Sequence, residues 1–529
     1  MRTGLVALAM ALAAATPAAA QMRTVVDETS IDALQAEMAS GKASSVSLTQ
    51  AYLARITAMD RRGPTLRSVI AVSPYAIKQA QESDARRKAG KLIGPLDGVP
   101  VLIKDNIETR DQPTTAGSLA LAANDTKRDA PVVALLRAQG AVILGKTNLS
   151  EWANIRSNNS MSGWSAMGGL VRNPYALDRS SCGSSSGSGA AVAASLAAVA
   201  VGTETDGSVV CPSAMNGLAG LKPTLGLVSR THVVPISHSQ DTPGPMGRSV
   251  KDVAILFSGM IGDDPADPAT KGADKYRKDY AVGLSADALK GVRIGYWKPE
   301  MADDLAARFD KALDELRAAG ATLVEVKMPK LAGIGEAESL VLYTELKADM
   351  AMYLASTPAP GVKARSLADL IAFNDANKEA EMPFFGQETF IKAEKTKGLS
   401  DPEYTQARAK SLRLASVEGI DWMLKEANAQ ILVTPTYGTP WLSDPAHGDQ
   451  FTGPSASELP AVSGYPHLTV PMGLVNGLPA GLSFIGTAYS DGLLLNAGYA
   501  YEQASHARVA PKYLPTIPAD LGVRKAKLK

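Results

Sequence analysis

The chain has 529 residues, with 54 Lys and Arg against 53 Asp and Glu, 45% apolar side chains and two cysteines. That apolar fraction is ample for a core and excludes a disordered chain, and a formal charge of +1 argues against a nucleic-acid binder that works by neutralising phosphates. Two cysteines cannot build a disulfide framework or a Cys-rich metal site. The length suits two to four average domains, or one large α/β domain with insertions.

Residues 1–20 read as a secretory signal peptide. Arg2 supplies a short positive region, Leu5 to Ala15 an apolar run, and Ala18-Ala19-Ala20 a small-residue cleavage pattern. The run is short for a bilayer span of about 20 residues. Without Arg2 the mature chain carries 53 basic and 53 acidic residues. Ala190 to Val201 is too short to span and runs into Gly-Thr-Glu. The expectation is a soluble periplasmic or secreted protein with no membrane and no nucleic-acid partner.

Ser30 is placed to cap a helix that begins at Ile31. Leu48, Tyr52 and Ile56 recur on one face of a second helix. Gly94 to Gly98 is a turn cluster. Val99 to Ile103 is an apolar strand whose Pro100 predicts an edge position or an irregular start. Pro131 to Gln139 predicts a short helix closed by Gly140, followed by a strand from Ala141 to Leu144. Further on, Val292 to Trp297 and Ala321 to Val326 read as strands of a βαβ unit. Between them Leu305, Phe309, Leu313 and Leu316 line one helix face. Residues 356–407 are charged and helical, and are expected to form a peripheral insertion. Arg524 to Lys527 belong to a solvated tail. Helix and strand alternate over most of the chain, which predicts α/β architecture.

The most unusual segment runs from Ser180 to Pro223. A loop of Ser and Gly feeding an Ala-rich helix presents several backbone N–H groups to one point, which suits a phosphate or a developing oxyanion. No Lys follows the glycines, so a phosphate loop is excluded. Gly183-Ser184-Ser185-Ser186-Gly187 matches the nucleophile-elbow pattern, which also needs an acid and then a His downstream. Of the five His (His232, His238, His447, His467 and His506), only His506 is nominally placed for that role. No His pair has zinc spacing. Thr205-Asp206-Gly207-Ser208 is a tight polar turn after the apolar run. A serine there can be a nucleophile whose neighbouring N–H groups receive the oxyanion. Lys104 ends the apolar strand and precedes Asp105 and Asn106. A strand-end Lys ordinarily reaches solvent, but one held in an apolar pocket can lose its proton near neutral pH and serve as a base.

Taken together, GVPVLIKDN, CGSSSGSGAA, GTETDGSVVCP and GLAGLKPT resemble the amidase signature family. The pattern around Leu48-Thr49, Tyr52-Leu53 and Arg55-Ile56 and the C-terminal VPMGLVNGLPAGLSFIG are similar to it as well, so the likeness spans nearly all of residues 21–529. The resemblance implies a single large α/β/α domain around a mixed twisted sheet, a Ser–Ser–Lys triad and no cofactor or metal. By position Lys104 would be the base, Ser184 the bridging serine and Ser208 the acyl-forming nucleophile. The N–H groups of Thr205, Asp206, Gly207 and Ser208 would form the oxyanion hole.

Two departures bear on substrate. Many members have Gly-Gly-Ser where this chain has Asp206-Gly207-Ser208. Many carry Arg two residues after the nucleophile, where Val210 stands here, which disfavours a carboxylate beside the scissile amide. TETDGS, the SGWS at Ser162 to Ser165 and secretion resemble the bacterial peptide amidases, which release ammonia from C-terminal peptide amides. The competing readings are a broad-specificity or aryl-acyl amidase, the glutamine-amidase subunit of a tRNA-dependent amidotransferase, and a non-catalytic periplasmic peptide-binding protein. Asp105 and Asn106 are candidates to orient the lysine loop, and Asp206 to meet that loop or substrate. Trp164 and Trp441 read first as packing. Cys182 and Cys211 read first as two small buried residues, although an oxidising compartment permits a disulfide.

Overall fold

The computed structural model describes residues 26–518. The expected signal peptide and the basic tail lie outside the described residues. In chain order the strands are β1 (Val69–Val72), β2 (Pro100–Lys104), β3 (Val142–Thr147), β4 (Trp164–Ser165), β5 (Gly169–Leu170), β6 (Val199–Glu204), β7 (Ala219–Lys222), β8 (Thr242–Gly247), β9 (Arg293–Tyr296), β10 (Thr322–Glu325), β11 (Ile431–Pro435), β12 (His467–Val475) and β13 (Leu478–Ile485). Apart from the small pair β4 and β5, they join in an 11-stranded sheet ordered β1-β3-β2-β6-β8-β7-β12-β13-β11-β9-β10. Flanking helices complete one large α/β domain. The sheet is mixed: β2 runs parallel to β3 and β6, whereas β6 meets β8 antiparallel.

Local chemistry accounts for the expected elements. Ser30 caps the helix Ile31–Ala39 by accepting the Ala33 N–H at 3.2 Å. The βαβ unit forms as β9, the helix Asp303–Ala318 and β10, with Leu305, Phe309, Leu313 and Leu316 buried and the strands in parallel register. Each such side chain taken from water contributes about 1.5–3 kcal/mol. Strand β2 is buried along its whole length, as expected of a continuous apolar run covered on both faces. Pro100 does not mark an edge, because β2 lies between β3 and β6. It is the first residue of the strand, opposite Val142, and the register shifts between Val101 and Leu102. A missing N–H is tolerated at a strand's first position.

Between β10 and β11 the chain is helical: Ile334–Ser356, Leu367–Ala376, Lys378–Glu381, Glu388–Glu394, Pro402–Ala415 and Asp421–Ala427. Helical structure therefore starts before residue 356 and continues past 407. Leu346, Met350, Leu354, Leu370 and Phe390 form a core of their own with Leu121 and Trp152. The same long helix carries the buried acids Glu338, Glu345 and Asp349 toward the sheet. Among the described residues no helix is long and apolar enough to cross a membrane.

Candidate active site

Because β2 and β6 are parallel neighbours, they deliver Lys104 and the turn after Glu204 to the same end of the sheet. Carboxyl ends of parallel strands are where open α/β sheets gather ligands. Ser184 arrives from the loop before the helix Ser186–Ala193, whose eight small residues are all buried. Ser185 ties that loop to β6: its Oγ donates to the Thr203 carbonyl at 3.1 Å and accepts the Thr203 N–H at 3.2 Å.

Lys104 is fully buried, and its Nζ donates to Ser184 Oγ at 2.7 Å, to Thr203 Oγ1 at 2.8 Å and to the Thr203 carbonyl at 3.3 Å. No carboxylate pairs with it among the described residues. Burial lowers its pKa from 10.5 to about 7, against the opposing pull of Asp241 and Glu204. Two other lysines are equally buried. Lys146 is matched by Asp105 at 2.9 Å. Lys222 donates to the Pro223 carbonyl at 3.1 Å and is lowered to about 8 by burial, while Glu204, Asp491 and Asp206 pull it back up.

The turn that carries Ser208 is built by buried acids. Glu204, at the end of β6, accepts the N–H groups of Val209 and Val210 at 2.8 and 2.9 Å, which folds the chain back around residues 205–208. Thr205 Oγ1 donates to Asp241 at 2.6 Å, and the other Asp241 oxygen accepts the N–H groups of Ile236 and Ser237 at 2.8 and 3.0 Å. Gly207 sits at φ 78°, and a Cβ there would lie 2.1 Å from the Tyr437 hydroxyl, so both conformation and space require glycine. The N–H groups of Asp206, Gly207 and Ser208 make no turn, loop or cap hydrogen bond among the described residues. Burial raises the Asp206 and Glu204 carboxyls above their usual range.

The two serine loops meet. The Ser208 carbonyl accepts the Ser185 N–H at 3.2 Å. Cys182 and Cys211 form a disulfide across them, with Cα atoms 6.0 Å apart. That corrects the first reading as two separate small buried residues. The two positions are 29 residues apart in sequence, and the folded loops bring them together. Trp441 and Tyr437 pack in the same cluster as the disulfide. Trp164 packs edge-on against Phe384 and Phe385, as its first reading has it.

The structure thus brings Lys104 and Ser184 into direct contact and places the Ser208 backbone beside Ser185. The Ser208 hydroxyl makes no hydrogen bond among the described residues. Ser184 has a lysine rather than a histidine as its partner, and His506 is exposed at the end of the helix Asp491–Ser505. His467 Nε2 lies 2.6 Å from Ser483, and burial and Lys222 depress it to about 3. Asn106 donates to Thr203 Oγ1 at 2.9 Å, whereas Asp105 serves Lys146 and Thr115. Sequence reasoning missed Thr203, Glu204, Asp241 and Tyr437. It also missed Trp152, Ala153 and Asn154, three consecutive residues at positive φ beside Ser150, whose N–H donates to the Ser184 carbonyl at 3.0 Å. Such strain in non-glycine residues concentrates at functional sites. Ligand atoms of His238, Glu345 and Asp349 lie within 4.8 Å of one another. Glu345 already accepts from Ser237, Ser239 and Tyr404, and Asp349 from the His238 backbone N–H.

Comparison with known proteins places this arrangement. The family described as Amidase matches residues 47–495. A probable amidase of Arabidopsis thaliana is 36% identical over 526 residues, covering 96% of this chain and 97% of the relative. A glutamyl-tRNA(Gln) amidotransferase subunit of Symbiobacterium thermophilum is 35% identical over 486 residues, covering 88% and 94%. Among solved structures, native peptide amidase from Stenotrophomonas maltophilia is similar at 49% identity and TM-score 0.86, covering 92% of this chain and 99% of that one. The peptide amidase in complex with the competitive inhibitor chymostatin matches at 50% identity and TM-score 0.88, with the same coverage. With a family match over most of its length and a shared fold at about half identity, this chain belongs to the amidase family and is a hydrolase of amide C–N bonds.

Proposed function

We propose that this hydrolase works through a Ser–Ser–Lys triad of Lys104, Ser184 and Ser208, and that it converts peptides with a C-terminal carboxamide to the free acid, releasing ammonia. The observation that carries the mechanism is the Lys104 amine, fully buried, without a carboxylate partner among the described residues and 2.7 Å from Ser184 Oγ. With a pKa near 7 a large share of it is neutral at physiological pH. The neutral amine offers a lone pair to the Ser184 hydroxyl.

Lys104 takes the proton of Ser184 as Ser184 takes that of Ser208, and Ser208 Oγ attacks the amide carbon. The new oxyanion rests on the N–H groups of Thr205, Asp206, Gly207 and Ser208; each such donor is worth about a hundred- to a thousandfold in rate. The proton returns through Ser184 to the leaving nitrogen, the C–N bond breaks and ammonia departs. Water then attacks the acyl ester, gives its proton to the same relay and frees the acid.

The peptide substrate is supported by the names of the solved neighbours at about half identity. Val210 at the position of the usual Arg supports a neutral group beside the scissile amide. Family membership sets aside a non-catalytic peptide-binding protein. The amidotransferase reading needs partner subunits in the cytosol, and the signal-like residues 1–20 favour export to the periplasm or beyond. Fractionation of cells making the full chain should find it there, beginning at Gln21. A retained N-terminus in the cytosolic fraction would reverse that assignment.

The deciding assay is ammonia release from peptide amides, simple aliphatic amides and anilides. Peptide amides should lead; turnover confined to anilides or aliphatic amides would establish the broad or aryl-acyl reading instead. Lys104→Ala, Ser184→Ala and Ser208→Ala should each lose activity by orders of magnitude. Wild-type rates in Lys104→Ala or Ser208→Ala would refute the triad.

A further inference from the structure

Besides Glu204, a buried carboxylate from outside the nucleophile turn touches it directly. Asp241 lies just before β8 and is 8% exposed. One of its oxygens accepts from Thr205 Oγ1, in the turn that ends at Ser208, and the other accepts two backbone N–H groups from Ile236 and Ser237. The adjoining Gln240 reinforces the link, donating to the Thr205 carbonyl at 3.3 Å and to Glu338 at 2.8 Å. The segment is anchored from behind as well: Ser237 and Ser239 donate to Glu345, and the His238 ring and N–H meet Asp349. Residues 236–241 thus clamp the nucleophile turn to the long helix Ile334–Ser356.

Asp241 holds no ion-pair partner among the described residues. The charged groups that act on it or feel its charge are Lys104 in β2, Arg230 in the preceding loop and Asp349 in the long helix. Arg230 is already engaged by Asp267, and Asp349 is a like charge. Of these described residues, Lys104, on which Glu204 also acts, is thus the cation without a carboxylate at ion-pair distance.

We propose that Asp241 is a positioning residue for amide hydrolysis: its carboxylate fixes the Thr205–Ser208 turn through the Thr205 hydroxyl and supplies the negative charge that stabilises Lys104 once it has taken the proton. The inference rests on Lys104 being the base. Burial raises Asp241 to about 6 and lowers Lys104 to about 7, so the carboxylate is largely charged at pH 7 and above, where the amine gives up its proton.

The two roles separate by substitution. In Asp241→Asn the amide oxygen can accept the two N–H groups while its NH₂ donates to Thr205, whose hydroxyl serves equally as acceptor. The packing survives and the charge is lost. The base limb of the rate–pH profile should then move to lower pH by about one unit. On the plateau kcat should fall about ten- to a hundredfold, with KM little changed. The variant should melt no lower than wild type, because an ionised carboxyl is removed from a buried site. Thr205→Val keeps the charge and breaks the link, so it should lower kcat and leave the limb where it was. A wild-type limb in Asp241→Asn overturns the proposal, and so does a lowered melting temperature with the limb unmoved. Lys104→Ala measured alongside tells the two failures apart. If it is inactive while Asp241→Asn keeps the wild-type limb, only the role of Asp241 falls. If it is active, the lysine base falls too.

Discussion

Lys104→Met should make the protein more stable while abolishing hydrolysis. Burial lowers the amine from 10.5 to about 7, and each unit is about 1.36 kcal/mol. Keeping this amine at pH 7 therefore costs about 4 kcal/mol relative to a neutral side chain. The sign follows from proton counting. Between pH 7 and 10.5 the unfolded chain binds the proton and the folded chain does not. The penalty is thus complete below about 7 and fades as pH rises. Methionine fills nearly the same space with no charge. The hydroxyls of Ser184 and Thr203 lose a partner, at about 1–2 kcal/mol together. The variant should then gain about 2–3 kcal/mol at pH 7, and the gain should shrink by about 2 kcal/mol at pH 9. Urea unfolding of both proteins at the two pH values measures it, with ammonia release as the activity control. A variant less stable than wild type at pH 7, or a difference that does not narrow at pH 9, would refute a buried, depressed lysine.

Lys146→Met should do the opposite. It strands the buried Asp105 carboxylate, and stability in the same urea experiment should fall by about 3–5 kcal/mol. Removing the disulfide with Cys182→Ser and Cys211→Ser should lower stability by about 3–4 kcal/mol, the loop-closure value for a separation of 29 residues, read as a shift in urea midpoint. In the wild type, kcat/KM should rise with pH through about 7 as Lys104 loses its proton, measured across a pH series at low substrate. Thr203→Asp puts a carboxylate where the Oγ1 now stands 2.8 Å from Nζ, so the amine should hold its proton and the rate at pH 7 should drop at least about tenfold, with recovery toward pH 9.

The candidate site is legible in the sequence where its signals are local. Lys104 ends an apolar pentapeptide, and Ser184 and Ser208 each lie in a loop whose glycines and serines no ordinary element explains. The supporting residues are not, because their positions are set by pairings between distant segments. Thr203 meets Lys104 across 99 residues, and Ser237 meets Glu345 across 108. Nothing in the local pattern of Asp241 shows that β8 will lie against β6 and bring the residue before it beside Thr205. Pro100 left two readings open, an edge or an irregular start, and only the second holds. A proline demands only that one N–H go unused, and a strand's first position meets that demand as well as an edge does. The cysteines bridge for a reason the spacing did not carry: the loops that present Ser184 and Ser208 are folded onto each other, so the flanking residues come within bonding reach.

The three buried lysines differ in their neighbours, and that difference favours Lys104 as the proposed base. Each lies at or one residue from the end of a strand, in PVLIK, VILGK and AGLK, and each is stripped of water to the same degree. Desolvation lowers all three, so burial alone cannot single out a base. The neighbours do. Lys146 meets the Asp105 carboxylate at 2.9 Å and is tied up in a structural pair. Lys222 sits among three acids that act on it through space and stays nearer its ordinary state. Among the described residues Lys104 is given only hydroxyls and a carbonyl to bond, while the acids that act on it, Asp241 before β8 and Glu204 at the end of β6, stand outside ion-pair distance. Neutral acceptors satisfy the ammonium without committing it, and one of them, the Ser184 hydroxyl, can turn round and donate when the proton has gone. A site built this way gives up folding stability to hold an amine that changes charge near neutral pH, and on the proposed mechanism it is the lack of a contacting carboxylate among the described residues, more than the lysine itself, that suits position 104 to act as the base.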